Sequence, residues 1–300
     1  MRHVPVLLNE VLEGLNLSSN SKVIDCTLGD AGHSEAILEK IGSKGKLLGI
    51  DADPESLLRA KNNLYRYGKQ VIFVRDNFTN LKNIVVENKF ENATAILMDL
   101  GWSTPQFKER GRGFSFEGDE PLDMRYNGAT GETAADILND YSTADLIQIF
   151  KYFGEENLSV EIAKSIVATR KEKPFVTSGQ LVETVLQVYR TKLKTDKQIP
   201  WVGGTHPATK VFQALRIAVN KELEVVRQAL PQAIEALESG GRLAVITFHS
   251  LEDRIVKQYF VKNNNRILKI INKKPIIASD VEININPSSR SAKLRIIEKI

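Results

Sequence analysis

Three carboxylates and one phenyl ring stand where apolar runs stop. Asp51 closes KLLGID, Asp76 follows VIFVR and leads into Asn77 and Phe78, and Asp99 closes ATAILMD. A fourth run, KVIDCTL, reads as a strand and leads through a turn with Gly29 and Gly32 into the helical pattern HSEAILEKI. Glycine there lets the backbone approach a ligand closely, and the amides that open a helix suit an anionic or polar group. An aspartate about 20 residues past such a turn can accept hydrogen bonds from both hydroxyls of a ribose. Asn77 and Phe78 together offer an edge and a face to an adenine ring. All of these lie at carboxyl ends of expected parallel strands, where one crevice collects them.

Only Gly29 and Gly32 occupy the turn, so GxGxxG fails and the diphosphate fingerprint with it. A nucleoside ligand without a diphosphate grip points to S-adenosyl-L-methionine. A nucleotide-dependent oxidoreductase stays open as the alternative, as does a non-catalytic rRNA-binding assembly factor. The latter would be marked by loss of the pocket carboxylates, and Asp51 and Asp99 are both present.

The stretch ILMDLGWSTPQF suggests the chemistry. The lone pair of a cytosine amino group is delocalised into the ring, so that nitrogen is a poor nucleophile. Acceptors around it turn it toward sp³ character and help its proton leave. Asp99, with the Leu100 and Gly101 carbonyls, is placed to be that acceptor set, and Trp102 to stack on an extruded base. No cysteine follows this run, which argues against thiolate attack on a ring carbon.

Other residues are candidates for the RNA. Gln213, Arg216 and Asn220 share one helical face, and His249 ends an apolar run before a helix. From Arg254 to Ile300 there are 11 Lys and Arg against 3 Asp and Glu, a basic end on a mildly acidic body. That imbalance implies a polyanionic partner. Arg290, Lys293 and Arg295 are expected to touch phosphates, the latter two from one face of a closing strand. The runs RKEKPF and YRTKLKTDK add further basic surface. The four histidines and Cys26 show no ligand spacing, so no metal is expected.

The elements that must position these groups alternate. Between residues 22 and 101 apolar runs alternate with helical patterns, as in parallel βαβ units. Residues 101–128 read as loop, and helical patterns fill about 132–193. HPATKVFQALRIAVNKELEVVRQALPQAIEALESGG reads as helix with a break near Pro231, GRLAVITF as strand, SLEDRIVKQYFVKN as helix with Ser250 and Asp253 as a capping box, and SAKLRIIEKI as strand. The expectation is an α/β, Rossmann-like sheet domain from 1–105 and 205–300, with a helical substrate-recognition domain inserted at 106–204. A hydrophobic content of 42% with 26% charge suits a globular chain. A single cysteine fits a cytoplasmic setting, and Pro5, Asn9, Glu10 and Glu13 break the apolar start, so no leader or membrane span is expected.

The chain resembles the RsmH (MraW) family, the bacterial small-subunit rRNA cytosine-N4 methyltransferases. HVPVLLNEVLEGL, DCTLGDAGHSEAIL, GIDADPESL, DNFTNL, ILMDLGWSTPQF, RGFSF, PLDMR, HPATKVFQALRIAVNKEL, GGRLAVITFHSLEDRIVK and SSRSAKLRIIEK carry the resemblance nearly end to end. It implies S-adenosyl-L-methionine as cofactor, held by Ala31, Gly32, His33, Asp51, Phe78, Asp99 and Gln106. It also implies 16S rRNA as partner, within a small ribosomal subunit or its precursor, with the target cytidine in the decoding region. Two departures stand out. The family commonly has glycine at position 31, where a methyl is compatible with backbone contact if φ is negative. It tends to DLGVSSPQ where this chain has Trp102 and Thr104, so Trp102 inherits no role.

Overall fold

A computed structural model describes residues 4–100, 111–116, 118–126, 130–195, 199 and 206–300. The chain divides into two compact units, Met1–Ser103 with Leu223–Ile300, and Thr104–Glu222. The strands are β1 (Lys22–Asp25), β2 (Lys46–Asp51), β3 (Val71–Arg75), β4 (Ala93–Asp99), β5 (Leu237–Thr247), β6 (Leu268–Ile270) and β7 (Lys293–Lys299). The first helices are α1 (Leu8–Gly14), α2 (Gly32–Ile41), α3 (Pro54–Asn63) and α4 (Leu81–Glu87). Those of the second unit are α5 (Ala134–Asp140), α6 (Thr143–Phe153), α7 (Ser159–Glu172), α8 (Ser178–Leu193) and α9 (Thr209–Asn220). The chain ends with α10 (Glu222–Ala236), α11 (Ser250–Asn263) and α12 (Asp280–Ile285).

The first unit is a seven-stranded sheet in the order β3-β2-β1-β4-β5-β7-β6. β1 to β5 are parallel, and β7 runs antiparallel to both β5 and β6. Successive residues of a strand face opposite sides, and both sides are apolar here. Ile24, Leu48, Ile96 and Val245 pack with α4, α10 and α11. Val23, Leu47, Leu97 and Ile246 pack with α1, α2 and α3 on the other face. Burial on both faces explains why these strands read as continuous apolar runs rather than alternating ones. Local chemistry agrees at the helix starts. Asp53 accepts from the Glu55 and Ser56 amides, and Pro54 follows where its missing N–H costs nothing.

The second unit has its own core, including Leu122, Ile137, Phe150, Ile166, Leu181 and Phe212. α6 packs against α7 and α9, and α7 against α8. α9 therefore belongs here, although the sequence reading placed it in the sheet domain. Its Val211, Phe212, Ala214 and Leu215 are buried in this core.

Several boundaries differ from expectation, among them the start of β5 at Leu237, where the sequence reads as helix. α10 runs through Pro231, and the chain turns earlier, at Lys221 with φ 51°. Burial of Val226, Ala229, Leu230, Ala233 and Ile234 outweighs the one backbone bond the proline forfeits. α11 is capped by His249 with Glu252, not by Ser250 with Asp253. The short β6 and α12 carry too little pattern to be read from sequence.

Candidate active site

The parallel strands end together. Asp25, Asp51 and Asp99 are the last residues of β1, β2 and β4. Asp25 pairs with Gly49 on one side and Leu97 on the other, so the three carboxylates line one edge of the sheet. Strand order reverses at β1, and ligands of open α/β sheets bind outside the carboxyl ends at such a point. The chain leaving β1 opens the crevice. The Cys26 amide donates to Leu97 O on β4 at 2.9 Å, and the Leu28 amide to Ile50 O on β2 at 2.9 Å.

Asp51 is tied to the turn. Its Oδ2 accepts from the Gly29 amide and its Oδ1 from the Asp53 amide, each at 2.8 Å. Each oxygen keeps acceptor capacity beyond that single bond. Burial raises its pKa to about 6 despite these two donors. Gly29 has φ 52°, and a methyl there would meet only Thr27 O at 3.9 Å, so the turn is open on that side. An ionised acceptor beside an open glycine suits a nucleoside sugar.

At Ala31 the condition of a negative φ is not met. The residue caps α2 with φ 66° and ψ 28°, the left-handed region, and is fully buried. A side chain there costs about 1–2 kcal/mol. The turn holds it through the Ala31 amide on Leu28 O at 2.8 Å. Gly32 has no such freedom to change, since a methyl would lie 2.6 Å from Pro5 Cγ.

Asp25 is the residue that sequence reasoning missed, because KVIDCTL was read as one strand running past it. It is buried, and accepts from Ser34 Oγ at 2.6 Å and the Thr27 amide at 3.1 Å. Burial pushes its pKa up, and the Ser34 hydroxyl and His33 partly restore it. Thr27 carries the chain of contacts onward: its hydroxyl accepts from the Asp99 amide at 2.7 Å. The tip of β4 is thus fixed from β1.

His33 completes the row. Its Nε2 donates to Val6 O at 2.9 Å, leaving Nδ1 3.6 Å from Asp99 Oδ2. Burial lowers its pKa, so the ring is neutral at pH 7 and Nδ1 is an acceptor. Phe78 follows β3 and packs partly against the core. Asn77 Oδ1 caps the same turn, accepting from the Thr79 amide at 3.0 Å. Cys26 is buried and its thiol is pushed well up by burial, so it is no nucleophile. Trp102 and Gln106 lie outside the described residues.

The expected RNA residues divide. The Arg216 guanidinium grips Glu222 at 2.9 and 3.1 Å, and Tyr126 also donates to Glu222. Asn220 accepts from the Tyr126 amide at 3.0 Å and donates to Met124 O at 2.8 Å, so it holds that loop. Arg295 corrects the expectation of a basic face turned to phosphates. It is buried and clamps Asp253 of α11 at 2.6 and 3.1 Å. A strand one place in from the sheet edge packs a helix on that face, which strand alternation alone does not reveal. Lys293 lies 3.7 Å from the same carboxylate and is 39% exposed. Arg290 is exposed, and the His249 ring is spent largely on capping α11.

A doubly wound sheet with a reversed strand beside β5, a turn lacking the diphosphate fingerprint and an acidic residue closing β2 together define a Rossmann-like methyltransferase domain. The MraW methylase family model matches residues 1–300, and the chain belongs to that family. The oxidoreductase alternative is thereby set aside. A protein named ribosomal RNA small subunit methyltransferase H from Clostridium botulinum (strain Loch Maree / Type A3) is 42% identical over 315 residues, covering 100% of this chain and 99% of its own. One of the same name from Heliobacterium mobile is also 42% identical, covering 99% of each. Among solved structures, an rRNA methylase from Streptococcus thermophilus aligns with a TM-score of 0.43 at 14% identity, over 98% of this chain and 93% of its own.

Proposed function

We propose that this methylase transfers a methyl group from S-adenosyl-L-methionine to the exocyclic N4 of a cytidine in the decoding region of 16S rRNA. The observation that carries the reading is the row of Asp51, Asp25 and Asp99 across the switch point. When bound, the cofactor supplies a methyl on a sulfonium, an electrophile that needs no covalent enzyme intermediate. Asp51 holds the ribose hydroxyls, the turn at 29–33 lies under the sugar and Phe78 flanks the adenine. Gln106 joins them as the family resemblance implies. Asp99 accepts a hydrogen bond from the target amine and takes up its departing proton. His33 lies beside it with a second acceptor, and Thr27 keeps the β4 tip in place. Positioning supplies most of the acceleration. Trp102 stacks on the extruded base. Arg290, Lys293 and the basic runs of the second unit meet phosphates. A small ribosomal subunit or its precursor is the partner, which sets the site of action in the cytoplasm. Among the described residues no helix is long and apolar enough to cross a membrane.

The test is incubation with radiolabelled cofactor and either small subunits or free rRNA, followed by mapping of the modified nucleoside. N4-methylcytidine at one position is the expected product, and label on another atom refutes the reading. Asp99→Ala should lower the single-turnover rate at saturating cofactor by about 10²–10⁴, the range of a lost acid–base group. An unchanged rate would remove Asp99 from the chemistry.

A further inference from the structure

A second concavity opens on the same sheet edge, in the first unit. β4 and β5 pair Asp99 with Ile246, and β5 and β7 pair Thr247 with Lys293, so the end of β5 and the start of β7 lie along the edge that carries Asp99. A cavity of about 270 Å³ sits there, lined among others by Phe248, His249, Ile277, Ile283, Arg290 and Lys293. None of these residues is needed by the cofactor site.

We propose that this cavity binds one unpaired nucleotide of the RNA substrate that flanks the target cytidine, its base against Phe248, Ile277 and Ile283 and its phosphate on Arg290 and Lys293. This rests on the reading of RNA as the substrate. The size fits a single nucleotide, since the cavity lies just under the roughly 300 Å³ at which small-molecule sites begin. The lining joins apolar Phe248, Ile277 and Ile283 to cationic Arg290 and Lys293, the combination that holds a splayed-out base and its backbone. The cationic charge is consumed only in part locally. Asp253 is held by both nitrogens of the Arg295 fork, and Lys293 reaches it only at 3.7 Å. Arg290 is exposed and makes no ion pair among the described residues. Apolar surface is left uncovered as well: Ile277 is 64% exposed while lining the cavity, and Val281 and Ile285 extend the exposed apolar surface along the same segment. A base covering Ile277 removes apolar area from water that the protein alone leaves wet.

Two variants at exposed positions separate the parts. Ser291→Trp puts a bulky side chain on a lining position, and Arg290→Ala removes one phosphate partner. Methyl transfer to small subunits is measured against subunit concentration and salt, with cofactor affinity by calorimetry. Both variants should raise KM for the subunit about fivefold or more, with kcat and cofactor affinity unchanged. Arg290→Ala should also make the salt slope shallower by about 0.7, the share of one contact to single-stranded RNA. Wild-type KM and slope in both variants would overturn the proposal while leaving the methyltransferase reading intact. Should the wild-type protein fail to methylate subunits, the proposed function falls. The cavity is then judged by fluorescence anisotropy with a short single-stranded oligoribonucleotide. Weaker binding by both variants supports the cavity site, and equal binding refutes it.

Discussion

Cofactor affinity should follow the ionisation of Asp51. The carboxylate is useful to a ribose only when charged, because both oxygens then accept. Burial raises its pKa to about 6, against an ordinary 3.8. The folded value lies above the unfolded one, so this group's contribution to stability is present below about pH 4 and is lost as pH rises through about 6. A ligand that needs the charged form runs the opposite way: it binds fully above pH 6 and weakens below it. From pH 7 to pH 5 the ionised fraction falls about tenfold, so the dissociation constant should rise about tenfold, or ~1.4 kcal/mol. Asp51→Asn keeps the shape but removes the charge. It should lose roughly 1.5–3 kcal/mol of binding at pH 7 and most of the pH dependence. Isothermal calorimetry at pH 5, 6 and 7 on both proteins makes the comparison, and the variant cancels the titrations of Asp25 and His33. A flat affinity in the wild-type protein, or an equal slope in Asp51→Asn, would refute the reasoning.

Three other outcomes are expected. Ala31→Gly should change unfolding stability by no more than about 1 kcal/mol. Relief of about 1–2 kcal/mol of left-handed strain is offset by glycine's chain entropy and by a lost buried methyl of about 0.8 kcal/mol. Ala31→Val, β-branched at the same φ, should lose roughly 2 kcal/mol or more in denaturant titration. Arg295→Ala leaves Asp253 without its buried fork and should cost about 3–5 kcal/mol of stability, with the salt slope of RNA binding unaltered under native conditions. Thr27→Val strips the acceptor from the Asp99 amide, and single-turnover kinetics should show the methyl-transfer rate falling more than cofactor affinity.

The strand–turn–helix, the helices that follow each strand, and Asp51 and Asp99 as strand-ending acids were all legible in the sequence. Each rests on local chemistry: apolar runs bounded by glycine, proline or a capping residue. Parallel strands buried on both faces also leave a simple signature, so their carboxyl ends could be located without coordinates. What escaped was decided by contacts distant along the chain. Asp25 acquires its place because β1 is central and Ser34 and Thr27 fold back on it. Arg295 looked like a phosphate ligand, since the sequence shows its charge but not the α11 carboxylate that claims it. α9 joined the second unit because its apolar face finds its match among Phe150, Ile162 and Leu181, which periodicity alone does not choose. Ala31 has an ordinary side chain, and only the turn it closes forces it left-handed. Sequence by itself determined which of the longer segments become strands and helices, and where β2 and β4 end. Tertiary structure decided which charges meet each other and which are left to meet a ligand, because pairing is set by distances that the order of residues does not contain.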